Sequence, residues 1–296
     1  MTVEMPADGF LLVDKPGAWT SHDVVAKIRA TIAQRKVGHA GTLDPMATGL
    51  LVLGIGRATR LLRFVQDAPK TYVATSRFGV ATDSLDADGA VLTREPLPIE
   101  ASDLEQVLER FVGDIMQVPP MVSARRVEGR RLYELAREGK TVEREARPVT
   151  IHELRLLNLA PSDYPEATFL VRCSKGTYVR TLADDIARAL GGRAHLSALR
   201  RTAIGSLRVE DAVPIEAVAA AGWKDILISP AEGLVDLPAV VLADDLARAV
   251  AHGIAVAGSR LGDPSPGPLR MLDSAGTLLA VYRSKGARAS AEVVLQ

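Results

Sequence analysis

KVGHAGTLDPMATGLLVLGIGRATR, residues 36–60, is the stretch on which the reading of this chain turns. Leu50–Ile55 is a continuous apolar run and reads as a buried strand. Residues 34–48 are polar, broken by glycine and proline, and read as a loop. Gly38 and Gly41 permit a tight backbone path around His39. Asp44-Pro45 sets a turn directly after a carboxylate. Between residues 24 and 63 Asp44 is the sole acid among seven basic side chains. A carboxylate among cations stays ionised, as a nucleophile or electrostatic catalyst must. The same residue type also caps turns with its side chain. Gly54-Ile55-Gly56 before Arg57 is half of a dinucleotide fingerprint; the third glycine is missing, so strand-ending glycines are the better reading.

Outward from this stretch, Phe10–Val13 reads as a strand ended by a Lys15-Pro16-Gly17 turn. Thr20 and Ser21 can cap a helix over Ser21–Ala33, with Val24, Val25, Ile28 and Ile32 at helical spacing. A short helix is expected over Ala58–Val65 and a strand over Thr71–Phe78. Thr82–Gly89 is an acidic, turn-rich connection. Ser102-Asp103-Leu104-Glu105 has the pattern of a capping box opening a helix to Val112. Pro119-Pro120 stops regular structure. Residues 121–147 hold eight basic and five acidic side chains and read as a charged excursion with a short helix. Strands are expected over Val149–Leu157 and Thr168–Cys173, a helix over Tyr178–Leu190, and a basic extended segment over His195–Ile204. Beyond Leu237 a helix (Asp244–His252), a loop (Gly262–Gly267) and three short strands suggest a small C-terminal domain of β character.

The 296 residues, 47% hydrophobic and 24% charged, have the composition of a globular chain of about two domains. The apolar run Gly49–Gly56 is too short to span a bilayer, and the acidic start lacks the pattern of a secretory leader. Cys173 is the only cysteine, which excludes an internal disulfide and a multi-cysteine zinc site. It reads as a buried strand residue. A cytoplasmic protein is the expectation. The zero net charge conceals segregation. Residues 24–63 and 172–208 are strongly basic, with seven against one and eight against two charges; residues 81–110 carry eight acids against two bases. Two basic segments brought together by a fold make an anion-binding face; apart, each is a solvated surface.

The 36–60 stretch resembles the catalytic motif of pseudouridine synthases of the TruB type, which act on uridine 55 of the tRNA T loop. Further blocks resemble that family in the same order. They are GFLLVDKPGAWTSHDVV (9–25), KTYVATSRFGVATDSLDADG (70–89), PPMVSARRVEGRRLYELAREG (119–139), CSKGTYVRTLADDIARALG (173–191) and AHLSALRRTAIG (194–205). An ordered series of blocks is more specific than any one motif. Two departures stand out. Gly17 follows Pro16 directly, where the family more often has one residue between them. Arg125-Arg126 and Val122 stand in the insertion where an aromatic and a lysine are commoner.

The resemblance implies roles residue by residue. Asp44 falls on the catalytic aspartate, Tyr72 on the tyrosine that stacks on the target base, and Arg180 on the arginine that pairs with the aspartate. His39 falls on the histidine that fills the space left by the extruded base. Tyr178 falls on a second pocket tyrosine, Leu199 on the apolar pocket wall, and Lys15 in the structural first motif. Arg125 and Arg126 fall in the insertion that grips the T arm. By sequence alone, Arg180 has an alternative partner in Asp184, one helical turn on. The implied fold is α+β: a mixed, mostly antiparallel central sheet with flanking helices and an inserted RNA-gripping segment at 121–147. A catalytic domain over 1–235 precedes a small PUA-like β domain over 236–296. The implied activity needs no cofactor, no metal and no guide RNA; the expected partner is tRNA, bound by a monomer away from any membrane. The rival reading is a non-catalytic structured-RNA binder or tRNA-folding aid, which has no need of a lone carboxylate facing phosphates.

Overall fold

The computed structural model describes residues 8–121, 126–127, 130–131, 142–220 and 222–295. In chain order these form strand β1 (Gly9–Lys15), helix α1 (Ser21–Ile32), β2 (Val37–His39), β3 (Thr48–Ile55), a 3-10 turn (Gly56–Leu61), α2 (Leu62–Asp67), β4 (Lys70–Phe78), β5 (Val80–Thr82) and β6 (Val91–Arg94). There follow α3 (Ala101–Glu109), β7 (Gly113–Gln117), β8 (Arg126–Val127), β9 (Arg130–Arg131), β10 (Arg147–Ala160), β11 (Glu166–Cys173), α4 (Val179–Ala189) and β12 (Ala194–Ile204). The remainder comprises β13 (Leu207–Arg208), β14 (Val213–Pro214), α5 (Ala217–Ala220), β15 (Ala239–Val241), α6 (Asp244–Ala251), β16 (Val256–Ala257), β17 (Gly267–Leu272), β18 (Leu278–Ser284) and β19 (Arg288–Val294). The class is α+β. Two compact units share the chain: one takes 1–44, 49–68 and 204–296, the other 45–48 and 69–203.

In the first unit β1 pairs antiparallel with β3 from Gly9↔Ile55 to Lys15↔Gly49, and parallel with β14. β2 pairs with the far end of β3, His39 opposite Leu53. Leu50, Leu51, Val52, Leu53 and Ile55 are all 0% exposed, so the apolar run is buried on both faces. Each such side chain contributes on the order of 2 kcal/mol. One face carries α1, whose Val24, Val25, Ile28 and Ile32 pack against Leu11, Val13, Leu51 and Leu53. α1 starts on a capping box: the Thr20 side chain accepts from the Asp23 amide at 3.1 Å, and the Asp23 carboxylate accepts from the Thr20 amide at 2.8 Å. Gly54 is a close-approach site, because a Cβ there would meet Ala58 O and Leu62 at about 3.1 Å. That confirms the strand-end reading over a phosphate loop.

The turn after β1 has Ala18 in the left-handed region, φ 64°, immediately after Gly17. Lys15 is fully buried, and its Nζ donates to Pro16 O at 2.9 Å and to Trp19 O at 2.6 Å, tying the turn shut.

β15, β17, β18, β19 and β16, in that order, make a separate five-stranded sheet with its own core of Leu242, Val250, Leu269, Met271 and Tyr282. This C-terminal β domain is not insulated from the start of the chain. Leu278, Val281 and Val293 belong to one apolar cluster with Phe10, Leu12, Leu50 and Phe64. Arg60 Nη1 donates to Val294 O at 2.7 Å, and Arg63 Nη2 meets Glu292 Oε2 at 3.1 Å.

In the second unit the order is β12-β4-β11-β10-β7, with β4–β11, β11–β10 and β10–β7 antiparallel. Phe78 and Phe169 meet edge to face at 6.4 Å in its core. α3 begins earlier than its Ser102 box suggests. Glu100 is the N-cap, with no side-chain capping bond. Burial of Leu104, Val107 and Leu108 sets this helix in place of a cap. β10 runs longer than expected, with two register shifts against β11. β2 falls inside the segment expected to be a loop. The short helix expected within 121–147 lies outside the described residues.

Candidate active site

In the first unit, the loop before Asp44 is pinned to the start of α1. Ser21 Oγ accepts from the Leu43 amide at 2.9 Å and donates to Leu43 O at 3.3 Å. Ser21 is 1% exposed, so this clasp is shielded from water, while Asp44 itself is half-buried. Gly41, with φ 91°, gives the left-handed step that turns the chain between His39 and Asp44. His39 leaves the end of β2; its carbonyl accepts from Gln66 Nε2 at 3.3 Å. Its ring meets the edge of His22, 5.5 Å between centroids and 79° between planes.

In the second unit, Tyr72 lies on β4 opposite Val171 of β11. Tyr178 is the N-cap residue of α4, and its backbone is held on both sides by Gln117: Oε1 accepts from Tyr178 N at 3.0 Å, and Nε2 donates to Tyr178 O at 3.3 Å. Arg180 occupies the first turn of α4 and is 4% exposed. Its Nη1 donates to Asp86 Oδ2 at 2.7 Å and to Ser84 O at 3.1 Å. Asp86 is equally withdrawn; its Oδ1 accepts from the Ser84 hydroxyl and, at 3.2 Å, from the Asp88 amide. Leu85, between the two Arg180 partners, has φ 63°.

The alternative pairing of Arg180 with Asp184 is not what forms. Asp184 is taken by Arg188 Nε at 2.9 Å and Arg193 Nε at 2.7 Å. Its neighbour Asp185 is pushed up to about 6, by burial first and by the charge of Asp184 second. Cys173 is buried as expected, and that burial pushes its thiol up to about 11, which leaves it unreactive at neutral pH.

Leu199 sits on β12, 7% exposed. Two residues on, Arg201 is the bulkiest fully buried side chain among the described residues, at 1% exposure, and hydrogen-bonds Tyr72. Burial pulls Arg201 below the usual arginine range, and the charge and hydrogen bond of Tyr72 oppose that fall. Lys15 acts locally on its own turn, as described above. Arg125 lies outside the described residues, and Arg126 is described by its backbone only, in the β8–β9 pair.

Sequence reasoning missed Asp86 and Arg201. Asp86 stood in a run of acids that read as a turn-rich connection. Arg201 was one of several arginines in a basic strand. The signal for Arg201 was its place two residues after Leu199, on the same strand face.

The fold is shared with a solved Cbf5-Nop10-Gar1 complex: the TM-score is 0.76 at 24% identity, covering 97% of this chain and 85% of that one. A substrate-bound H/ACA ribonucleoprotein gives 0.75 at 23% identity, covering 97% of this chain and 85% of that one. Residues 29–179 match the TruB family pseudouridylate synthase N-terminal domain, and residues 180–236 match the tRNA pseudouridylate synthase B C-terminal domain. The tRNA pseudouridine synthase B of Moorella thermoacetica is 44% identical over 288 residues, 93% of each chain. That of Burkholderia mallei is 44% identical over 296 residues, 97% of each chain. The chain belongs to the TruB family of pseudouridylate synthases, RNA-modifying isomerases.

Proposed function

We propose that this chain converts uridine 55 in the T loop of tRNA to pseudouridine. The observation that carries this reading is the near full-length identity to relatives named tRNA pseudouridine synthase B. The reaction cuts the N1–C1′ glycosidic bond, turns the base and joins C5 to C1′; the C5 proton leaves and N1 gains one. No electron enters or departs, so the chemistry calls for no redox cofactor.

The base must leave its stack to be reached. Tyr72 supplies a flat surface for it, Tyr178 and Leu199 wall the pocket, and His39 fills the vacated space. Asp44 is the catalytic carboxylate, attacking sugar or base or steadying a cationic sugar. Arg180 orients the site through its charged fork. Lys15 holds the turn of the first motif. Arg125 and Arg126 take phosphates of the T arm. The catalytic part spans 1–235 with its insertion at 121–147, and 236–296 is the PUA-like part. The protein acts as a monomer, without guide RNA, in the cytoplasm where its substrate resides.

The test is incubation with an unmodified tRNA transcript followed by mapping of pseudouridine. Modification at position 55 alone supports the reading. Modification elsewhere, or tight binding without any modification, overturns it, the latter in favour of an RNA-binding role.

A further inference from the structure

Arg201 stands apart from the other cations of its strand. At 1% exposure it is out of reach of an RNA phosphate, whereas Arg200 beside it is only partly buried and bonds Thr48 Oγ1 at 3.5 Å. Burying a guanidinium costs free energy unless it is well bonded, so a phosphate-binding role does not explain it. Its position does. β12 and β4 are neighbours, and two bonds fix their pairing: Ser197 Oγ to Thr75 O at 3.2 Å and Thr202 Oγ1 to Thr71 O at 3.3 Å. Between those bonds Arg201 reaches Tyr72.

We propose that Arg201 is a positioning residue that holds the Tyr72 phenol in its working orientation; this rests on the pseudouridine-forming reading above. A guanidinium only donates hydrogen bonds. The Tyr72 oxygen therefore accepts from Arg201, and its own proton turns away from that side. The bond fixes both the plane of the ring, on which the base stacks, and the direction of its hydroxyl. Leu199, two residues earlier on the same face, adds the apolar wall. One strand thus supplies the wall of the pocket and the tether of its aromatic floor.

The experiment is single-turnover pseudouridine formation on an unmodified tRNA transcript. The proteins are the wild type, Arg201→Met, Arg201→Lys, Tyr72→Phe and the Tyr72→Phe/Arg201→Met double variant, with tRNA affinity measured for each. Arg201→Met is expected to slow the reaction on the order of 100-fold while affinity stays within about threefold. Arg201→Lys restores part of the rate, because it keeps a charged donor. In the Tyr72→Phe background the Met substitution adds less than about threefold, since the two residues act as one unit. Should the Met variant fail to fold, the Lys variant, alone and with Tyr72→Phe, carries the same cycle. A crystal structure of Arg201→Met, or of the Lys variant in that case, checks the claim without activity: the Tyr72 ring turns from its wild-type position.

Three results overturn the inference: an Arg201→Met rate near wild type, equal losses of rate and affinity, or the same loss with and without the Tyr72 hydroxyl. An unmoved Tyr72 ring does so as well. A wild-type protein that leaves tRNA unmodified removes the functional reading itself, and is told apart by failing before any variant is compared.

Discussion

The Arg180 guanidinium and the Asp86 carboxylate meet at 2.7 Å, with their side chains 5% and 6% exposed. They join the first turn of α4 to the loop after β5. In so dry a setting the attraction is weakly screened, and removing one charge leaves the other with the full cost of its burial. Asp86→Asn is expected to destabilise the fold by about 3 kcal/mol in urea unfolding. Arg180→Lys keeps the charge and loses the planar fork. It is expected to lower turnover far more than tRNA affinity, and equal losses would mark a phosphate contact instead.

Asp44→Asn preserves shape and removes the charge. If the carboxylate performs the chemistry, single-turnover isomerisation falls below detection and tRNA binding survives. Near wild-type turnover by the Asn variant would remove Asp44 from the mechanism.

Ala18, with φ 64°, pays for a left-handed conformation that glycine adopts freely. Part of the gain from glycine is lost to the greater freedom of the unfolded chain. Ala18→Gly is expected to raise the melting temperature by roughly 2 °C, about 1 kcal/mol or less. This is also where the family tends to place its glycine, one residue later than this chain does.

Asp185 titrates near 6 in the folded protein against an ordinary 3.8. A carboxyl group with a raised folded value favours the fold when protonated, so its contribution is best below about 3.8 and is lost as pH rises to about 6. Asp185→Asn removes that penalty. Thermal melts are expected to show a stability gain at pH 7.5, at most about 1–2 kcal/mol after discounting for its partial exposure. The gain shrinks towards pH 4. A pH-independent difference would rule the titration out.

The insertion carries Arg125, Arg126, Arg130 and Arg131. Replacing all four with alanine should weaken tRNA binding and flatten its dependence on log salt by about 0.7–0.9 per lost phosphate contact. Binding equal to that of the wild type at every salt concentration would make the segment a passive loop.

The readable parts of the sequence were those in which local chemistry and burial agree. Thr20, Asp23 and the Val24-Val25-Ile28-Ile32 stripe all specify α1, and Leu50–Ile55 has no polar residue to compete with burial. β2 escaped because three residues with a glycine at their centre carry no periodicity. Ser102 misled because a capping pattern was present, yet the helix starts one residue before it, with Glu100 as N-cap and no side-chain capping bond. Asp86 could not be read at all: its partner is 94 positions away, and only the fold removes water from both. Tyr72 and Arg201 illustrate the same limit, for nothing local announces which strands will lie side by side.

The shared cluster of Phe10 and Leu12 with Leu278, Val281 and Val293 has a consequence for how the protein comes into being. On the ribosome the first strand emerges early and finds β3 soon after, but part of its apolar cluster, Leu278, Val281 and Val293, is made much later. The unit built from 69–203 is complete well before them and can settle first. Until those residues are made, the apolar side chains around Phe10 have only part of their cover. That interval leaves an uncovered apolar patch on the nascent enzyme, which is open to aggregation.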